Sequence, residues 1–282
     1  MMNEKDKNLQ KIKISKAKQS YENFVNLAND TNDFKESKIG TWLMSHSDLL
    51  IKEKHVERGK YISCHEGTLV YCDFGINPGA EIGGWHFAVT LNKRDNSYNP
   101  IITVVPLTSK NKNLYLDIGT EVYDRIIFAI DEKIEKFASE SEYLTKSMRL
   151  LEKYQEMDCG LNTNEEVKNA LIIQISRFTM QMCEIDGEAV KHRDDFGSLV
   201  ETSIKKSKTM LDKVEKSLLE LCMIQKKYQK YKQNSYAAVF QITTISKLRF
   251  SARMNKFDPI ASVQVSDAIL KRLKKDCLEK FG

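Results

Sequence analysis

The sequence predicts an α+β fold in which a small antiparallel β-unit is interrupted by a helical insertion and preceded by helices. Three observations carry this. Six of the twelve glycines fall between Gly59 and Gly84, and three of the four prolines are Pro78, Pro100 and Pro106, so turn chemistry is crowded into one stretch. That stretch also holds short β-branched runs. From Leu107 to Asp258 there is no proline, and apolar residues there recur at spacings of three and four. With 282 residues, 41% of them apolar, the chain has ample material for a core.

Residues 1–55 read as an N-terminal helical extension. Ala17, Tyr21, Phe24, Val25 and Ala28 keep helix spacing, and Ile39, Trp42, Leu43, Leu49 and Leu50 keep it again after the break at Asn29–Asp33. The first dozen residues, polar and Lys-rich, are expected to fray. Residues 56–120 change period. TLVYCDF, FAVTLN and IITVVPLT read as strands, and NLYLDI alternates as a fourth. The loop GINPGAEIGG (Gly75–Gly84) joins the first two. Short strands at this spacing suggest a small curled antiparallel sheet or barrel.

Residues 121–234 return to helix period. Ile127, Ile130, Ile134, Phe137, Leu144, Met148 and Leu151 form one heptad stripe, with Ser141 in a polar slot. Ile204, Leu211 and Leu218, interleaved with Val214 and Leu221, form another. Between them Val167, Leu171, Ile175, Phe178, Met182 and Ile185 make a third, opened by a capping box at Thr163 and Glu166. A coiled-coil hairpin or three-helix bundle follows from these stripes. It either buries them within itself or offers a partner surface. In 235–282 YAAVFQITTISKL reads as a strand, and VSDAILKRLKKDCLEKF as a closing helix capped by Ser266. The β-unit therefore comprises 56–120 plus 235–282, and the chain should leave it and return at neighbouring points.

Composition narrows the function classes. No uncharged apolar run reaches about 18 residues, so no membrane partner is expected. The N-terminus lacks the apolar stretch of a signal peptide, which makes a cytoplasmic protein the expectation. The six cysteines form no CxxC motif, and only Cys64 neighbours a histidine, His65, so reduced thiols with no disulfide frame and no zinc site are expected. The net charge of +5 permits a polyanionic partner.

The candidate chemistry gathers around the glycine-rich loop. Its backbone amides can approach a phosphate, or it can be a plain flexible hairpin; it carries one acid, Glu81, and ends in Gly83 and Gly84. His86 opens the next strand, where it can work as acid or base or be tied to backbone. Thr108 and Ser109 end the third strand, where hydroxyls bind substrate or cap turns. Lys110 and Lys112 follow, either neutralising phosphate or forming a solvated turn.

These residues carry a resemblance. Arg58-Gly59, then LVYCDFGINPGAEIGGWHFAVTLN, then IITVVPLTS and finally FQITTISKLRF resemble, in order, the PemK/MazF family of toxin endoribonucleases. The match spans about two-fifths of the chain and leaves the helical segments outside it. The resemblance implies an SH3-like antiparallel β-barrel with a C-terminal helix, and a homodimer that pairs with an antitoxin protein. It implies cleavage of single-stranded RNA without metal or cofactor, in which the 2′-OH attacks phosphorus and leaves a 2′,3′-cyclic phosphate. The family's catalytic hydroxyl falls on Thr108. Its catalytic Arg falls on His86, followed by Phe87 in place of Pro, so a fixed cation is replaced by a titratable base. Glu81 matches the loop acid. Gln241, Thr243, Lys247 and Arg249 match the late-strand motif, whose basic members would line an RNA path. The same fold family includes a gyrase poison, so a non-catalytic RNA- or protein-binding module is the alternative function.

Overall fold

The computed structural model describes residues 4–28, 34–158, 173–174 and 196–282. The chain divides into two units. One comprises Met1–Glu121, Asn234–Ala252 and Ile260–Gly282, the other Val122–Gln233 with Arg253–Pro259. The N-terminal helices thus count with the β-unit, and a short segment after the late strand counts with the helical unit, which the sequence pattern did not suggest.

In the first unit α1 (Glu4–Ala28) and α2 (Phe34–Glu53) precede the sheet. Gly40 lets the two helices approach, since a Cβ there would stand 2.9 Å from the Tyr21 hydroxyl. The strands are β1 (Leu69–Asp73), β2 (Trp85–Thr90), β3 (Ile101–Thr108), β4 (Leu116–Asp117), β5 (Tyr236–Ala237) and β6 (Thr243–Ser246). All their pairings are antiparallel, in the order β1-β2-β3-β5-β4, with β6 also on β3. β3 serves two partners in turn: Ile101–Val104 face β6, and Leu107–Thr108 face β5. Pro106 falls in the gap between those pairings, a place compatible with its missing amide hydrogen.

The late strand expected over YAAVFQITTISKL is broken by a 3₁₀ turn at Val239–Gln241, and a second 3₁₀ turn at Lys247–Arg249 follows β6. The paired strands do not close into a ring. Beyond β6 the chain meets the outer edge of β1 through isolated bridges, Cys72↔Phe250 and Thr68↔Gln264, and through Ala261 N–H, which donates to the Leu69 carbonyl at 2.8 Å. The core of this sheet holds Val70, Cys72, Ala88, Ile102 and Val104, with Phe74, Ile245 and Cys64. Asp117 pairs with Tyr236, and Ile118 N–H donates to Ser235 O at 3.0 Å, so the chain leaves the sheet and returns at adjacent points. The closing helix α5 (Asp267–Phe281) begins at Ser266, whose hydroxyl accepts from the Ile269 amide.

The second unit holds α3 (Glu121–Asp158, beginning at the last residue of the first unit) and α4 (Phe196–Gln229). Their buried seams are Ile126, Ile130, Leu144, Ser147 and Leu151 on α3, and Val200, Ser203, Ser207, Val214, Ser217, Leu221, Ile224 and Tyr228 on α4. Of the expected stripe Val214 and Leu221 lie in this seam, while Ile204, Leu211 and Leu218 are half-buried beside it. Serines occupy three of its positions, and Ser207 satisfies its hydroxyl on the Ser203 carbonyl at 2.7 Å. Tyr228 donates to the buried carboxylate of Asp258 at 2.7 Å, which ties Arg253–Pro259 to α4. The third stripe and its capping box lie outside the described residues, except for a helical pair at Ile173–Gln174. Among the described residues no helix is long and apolar enough to cross a membrane.

Candidate functional site

The site starts from strand register. β2 and β3 pair as far as Ala88 and Pro106, and two residues beyond each of these stand His86 and Thr108, which line one cleft. The His86 ring is held there by the β3 backbone, with Nδ1 2.9 Å from the Leu107 carbonyl oxygen. That oxygen can only accept, so Nδ1 carries a hydrogen and Nε2 is the nitrogen that gains or loses the titrating proton. Burial pushes the imidazole pKa below its ordinary value. The Leu107 and Gly83 carbonyls pull it upward, Lys110 adds to the depression, and the net direction is down. The depressed pKa favours the neutral imidazole at physiological pH.

The loop that covers it is tied at several points. Gly84 N–H donates to the Gly75 carbonyl at 2.6 Å, and Phe74 N–H donates to the Gly84 carbonyl at 2.9 Å. Asn77 donates from Nδ2 to the carbonyls of Phe74 and Ile82 at 3.1 and 2.7 Å. Gln241 accepts from Ile82 N–H and donates to Ala80 O at 3.2 Å and to the Tyr115 hydroxyl at 3.0 Å. Lys35 of α2 donates to the Gly79 carbonyl at 3.0 Å. Gly75 takes φ +80°, and Trp42 of α2 packs so close that a Cβ there would meet its Nε1 at 2.6 Å. The loop is thus a tethered structure rather than a flexible hairpin.

Two clefts flank this tether. The smaller, about 290 Å³, is lined by Glu81, Gly83, His86, Thr108, Lys110, Lys112, Tyr115 and Gln241, with Ala80 and Ile82. The larger, about 540 Å³, is lined by Phe74, Asn77, Phe240, Thr243, Thr244, Ser246 and Arg249 among others. Glu81, Ile82 and Gln241 line both.

The structure therefore gathers His86, Thr108, Glu81, Gly83, Lys110 and Gln241, six of the residues singled out from sequence, in one cleft. Thr108 both faces the cleft and caps its turn, accepting from Lys110 N–H at 3.2 Å. Arg249 lines the larger cleft, with Nη1 3.3 Å from the Asp73 carbonyl oxygen. Gly84, at φ +77°, serves the loop backbone. Ser109 is exposed and lines neither cleft.

Lys247 is a correction. It lines neither cleft, because its ammonium is buried against Asp95, 2.8 and 2.7 Å from the two carboxylate oxygens. The two side chains are 1% and 0% exposed. Burial alone would raise the Asp95 carboxyl, but hydrogen bonds from Lys247, the Cys64 amide and Asn99 outweigh it and hold it below the ordinary range. Lys247 is a structural cation, not part of an RNA path.

Tyr115, Asn77 and Phe240 were missed. Tyr115 stands just before β4, in a stretch whose sequence reads as mere alternation, and Lys112 Nζ lies 5.4 Å from its ring centroid. Cys72, near the site in sequence, is no nucleophile: burial pushes its thiol far up, and Cys64 and Asp73 add to the shift. None of the four described cysteines forms a disulfide, and Cys159 and Cys183 lie outside the described residues. Among the described residues no group of three His, Cys, Asp or Glu side chains is placed to hold a metal ion.

Fold and site together define an α+β protein with a polar, lysine-edged cleft built around one neutral histidine at the end of an antiparallel sheet. No family model matches the chain, and no curated protein matches it.

Proposed function

We propose that the chain is a toxin of the PemK/MazF type, an endoribonuclease that cleaves single-stranded RNA. The observation that carries this reading is the placement of His86: backbone-held through Nδ1, neutral, and sharing a cleft with Thr108, Lys110 and Lys112. In the proposed reaction His86 Nε2 takes the proton of a ribose 2′-OH. The O2′–P bond forms, the P–O5′ bond breaks, and the imidazolium returns the proton to O5′. The products are a 2′,3′-cyclic phosphate and a 5′-OH, and the step uses no metal or cofactor. Thr108 orients the phosphate, and the two lysines offset the charge that grows on the phosphorane oxygens.

The scaffold reading is an SH3-like barrel with a C-terminal helix, supported by the bridges from Phe250 and Gln264 to β1. A cytoplasmic homodimer held in check by an antitoxin protein completes the proposal. The test uses the purified full chain, a labelled pool of single-stranded RNA and EDTA. Cyclic-phosphate ends are expected, and they should vanish with His86→Ala. No such ends across a broad pool would refute the reading.

A second reading is a non-catalytic binding module on the same scaffold, gyrase-poison-like. It is favoured by His86, which stands where the resembling family carries a fixed cation. Growth arrest on expression without new RNA ends, retained in Thr108→Ala, would select it.

A further inference from the structure

The larger cleft has a feature that phosphate chemistry does not use. Phe240 stands on its wall, at the middle of the 3₁₀ turn Val239–Gln241, with its side chain 46% exposed. The ring is fixed rather than loose. Lys280 Nζ lies 4.8 Å from its centroid, and Phe281 meets it edge-on at 6.0 Å. Lys280 is itself held by Asp276 at 2.7 Å and by the Leu114 carbonyl at 3.0 Å. An exposed, immobilised aromatic ring is therefore presented next to Gln241, whose side chain reaches into the smaller cleft with His86.

The surroundings favour one kind of occupant. At about 540 Å³ the cleft lies within the range of about 300–1,000 Å³ typical of small-molecule sites. Cations border both clefts, Lys110 and Lys112 at one and Arg249 at the other, with Glu81 as the one acid shared between them, so the excess of positive charge lies on the His86 side, where a phosphate would sit. The walls beside Phe240 carry hydroxyl and amide groups at Thr243, Thr244 and Asn77. Aromatic platforms flanked by basic groups capture unpaired nucleobases, and every base offers a π-face.

We propose that Phe240 is a stacking platform for the nucleobase next to the phosphate held in the His86 cleft, with Arg249 on the phosphate beyond it. This rests on the ribonuclease reading and adds to it a binding residue and a reason why the substrate is single-stranded. A base within a duplex is already stacked on its neighbours.

The experiment measures binding of the full chain to fluorescein-labelled 2′-O-methyl oligouridylate and oligoadenylate, which cannot be cleaved, and to an abasic oligomer of equal length. Wild-type protein should bind both base-bearing oligomers more tightly than the abasic one. Phe240→Ala should weaken the former about tenfold and leave the abasic affinity unchanged, while Phe240→Trp should retain wild-type binding. Equal wild-type affinity for abasic and base-bearing oligomers, or undiminished binding by Phe240→Ala, overturns the platform alone. Wild-type protein that binds none of the oligomers yet releases cyclic-phosphate ends from RNA also overturns the platform and spares the nuclease. A protein that neither binds nor cleaves overturns both.

Discussion

The carboxamide of Gln241 accepts a hydrogen bond from the Ile82 amide across 159 residues of sequence. The same side chain donates to the Ala80 carbonyl and the Tyr115 hydroxyl, so one residue pins the glycine-rich loop above His86. Gln241→Ala removes all three bonds, each worth about 0.5–1.5 kcal/mol where partly exposed. The expected result is faster hydrogen exchange at the Ile82 amide, lower cleavage and a melting temperature lowered by a few degrees. Gln241→Glu keeps the acceptor for Ile82 but places a carboxylate beside the Ala80 carbonyl, and should give an intermediate loop. Unchanged Ile82 exchange in Gln241→Ala would show that the tether does not hold the loop.

The depressed His86 pKa sets the pH dependence. Burial and Lys110 favour the neutral imidazole, so the base form is present at neutral pH and the cleavage rate should rise with pH through a pKa below about 6.5, then level off. Lys110→Ala removes one of the depressing charges and should move that limb upward. Stability follows the same group. Between the folded pKa and the unfolded value of about 6.5 the unfolded chain binds more protons, so stability is gained as pH rises through that window and lost as it falls. A proton NMR titration of the His86 ring in wild type and Lys110→Ala checks both, and an ordinary or raised value in the wild type contradicts the assignment.

How far the sequence could be read depends on where the information sits. Glycine crowding and β-branched runs are local, and they were enough to put Glu81, His86 and Thr108 near one another. The ties that hold the loop are long-range and made by unremarkable residues such as Gln241 and Tyr115, so no spacing announces them. Lys247 lies in the late-strand motif whose basic members the resemblance sets along an RNA path, and only the folded chain shows Asp95 closing on it. On α4 a hydrophobicity pattern follows the leucines and isoleucines. The buried seam keeps Val214, Leu221 and Ile224 but also takes in Ser203, Ser207 and Ser217, because a small hydroxyl can satisfy itself on the preceding turn and take a core position.

The buried Lys247–Asp95 pair makes a prediction that separates structure from substrate binding. Lys247→Met leaves a carboxylate buried and unpaired, a change worth about 3–5 kcal/mol. Lys247→Met with Asp95→Asn should recover much of that loss. Asp95 titrates below the ordinary carboxylate range in the fold, so its contribution is present above about pH 3.8 and is lost as pH falls through the folded value. Denaturant unfolding measures the stabilities. Oligonucleotide binding by the fraction that remains folded should keep its salt dependence, because no phosphate contact has been removed. A reduced salt slope in the double variant would return Lys247 to the RNA path.

The two glycines on either side of Glu81 should respond differently to the same methyl group. Gly79 takes φ +59°, with nothing within 4 Å of an added Cβ, so Gly79→Ala meets only the left-handed penalty of about 1–2 kcal/mol. At Gly83 an added Cβ would stand 2.8 Å from the Gly75 carbonyl oxygen, a backbone atom that cannot rotate away. That same oxygen accepts from Gly84 N–H at 2.6 Å, so relief of the clash must open the neck of the loop. The Gly83 carbonyl is also one of the two that draw the His86 pKa upward. Gly83→Ala should therefore lower cleavage far more than Gly79→Ala and, because opening the neck relieves the burial that is the main cause of the depressed His86 pKa, shift the acidic limb of the pH–rate profile to higher pH. If the two variants show the same activity and the same limb, the neck of the loop does not position His86.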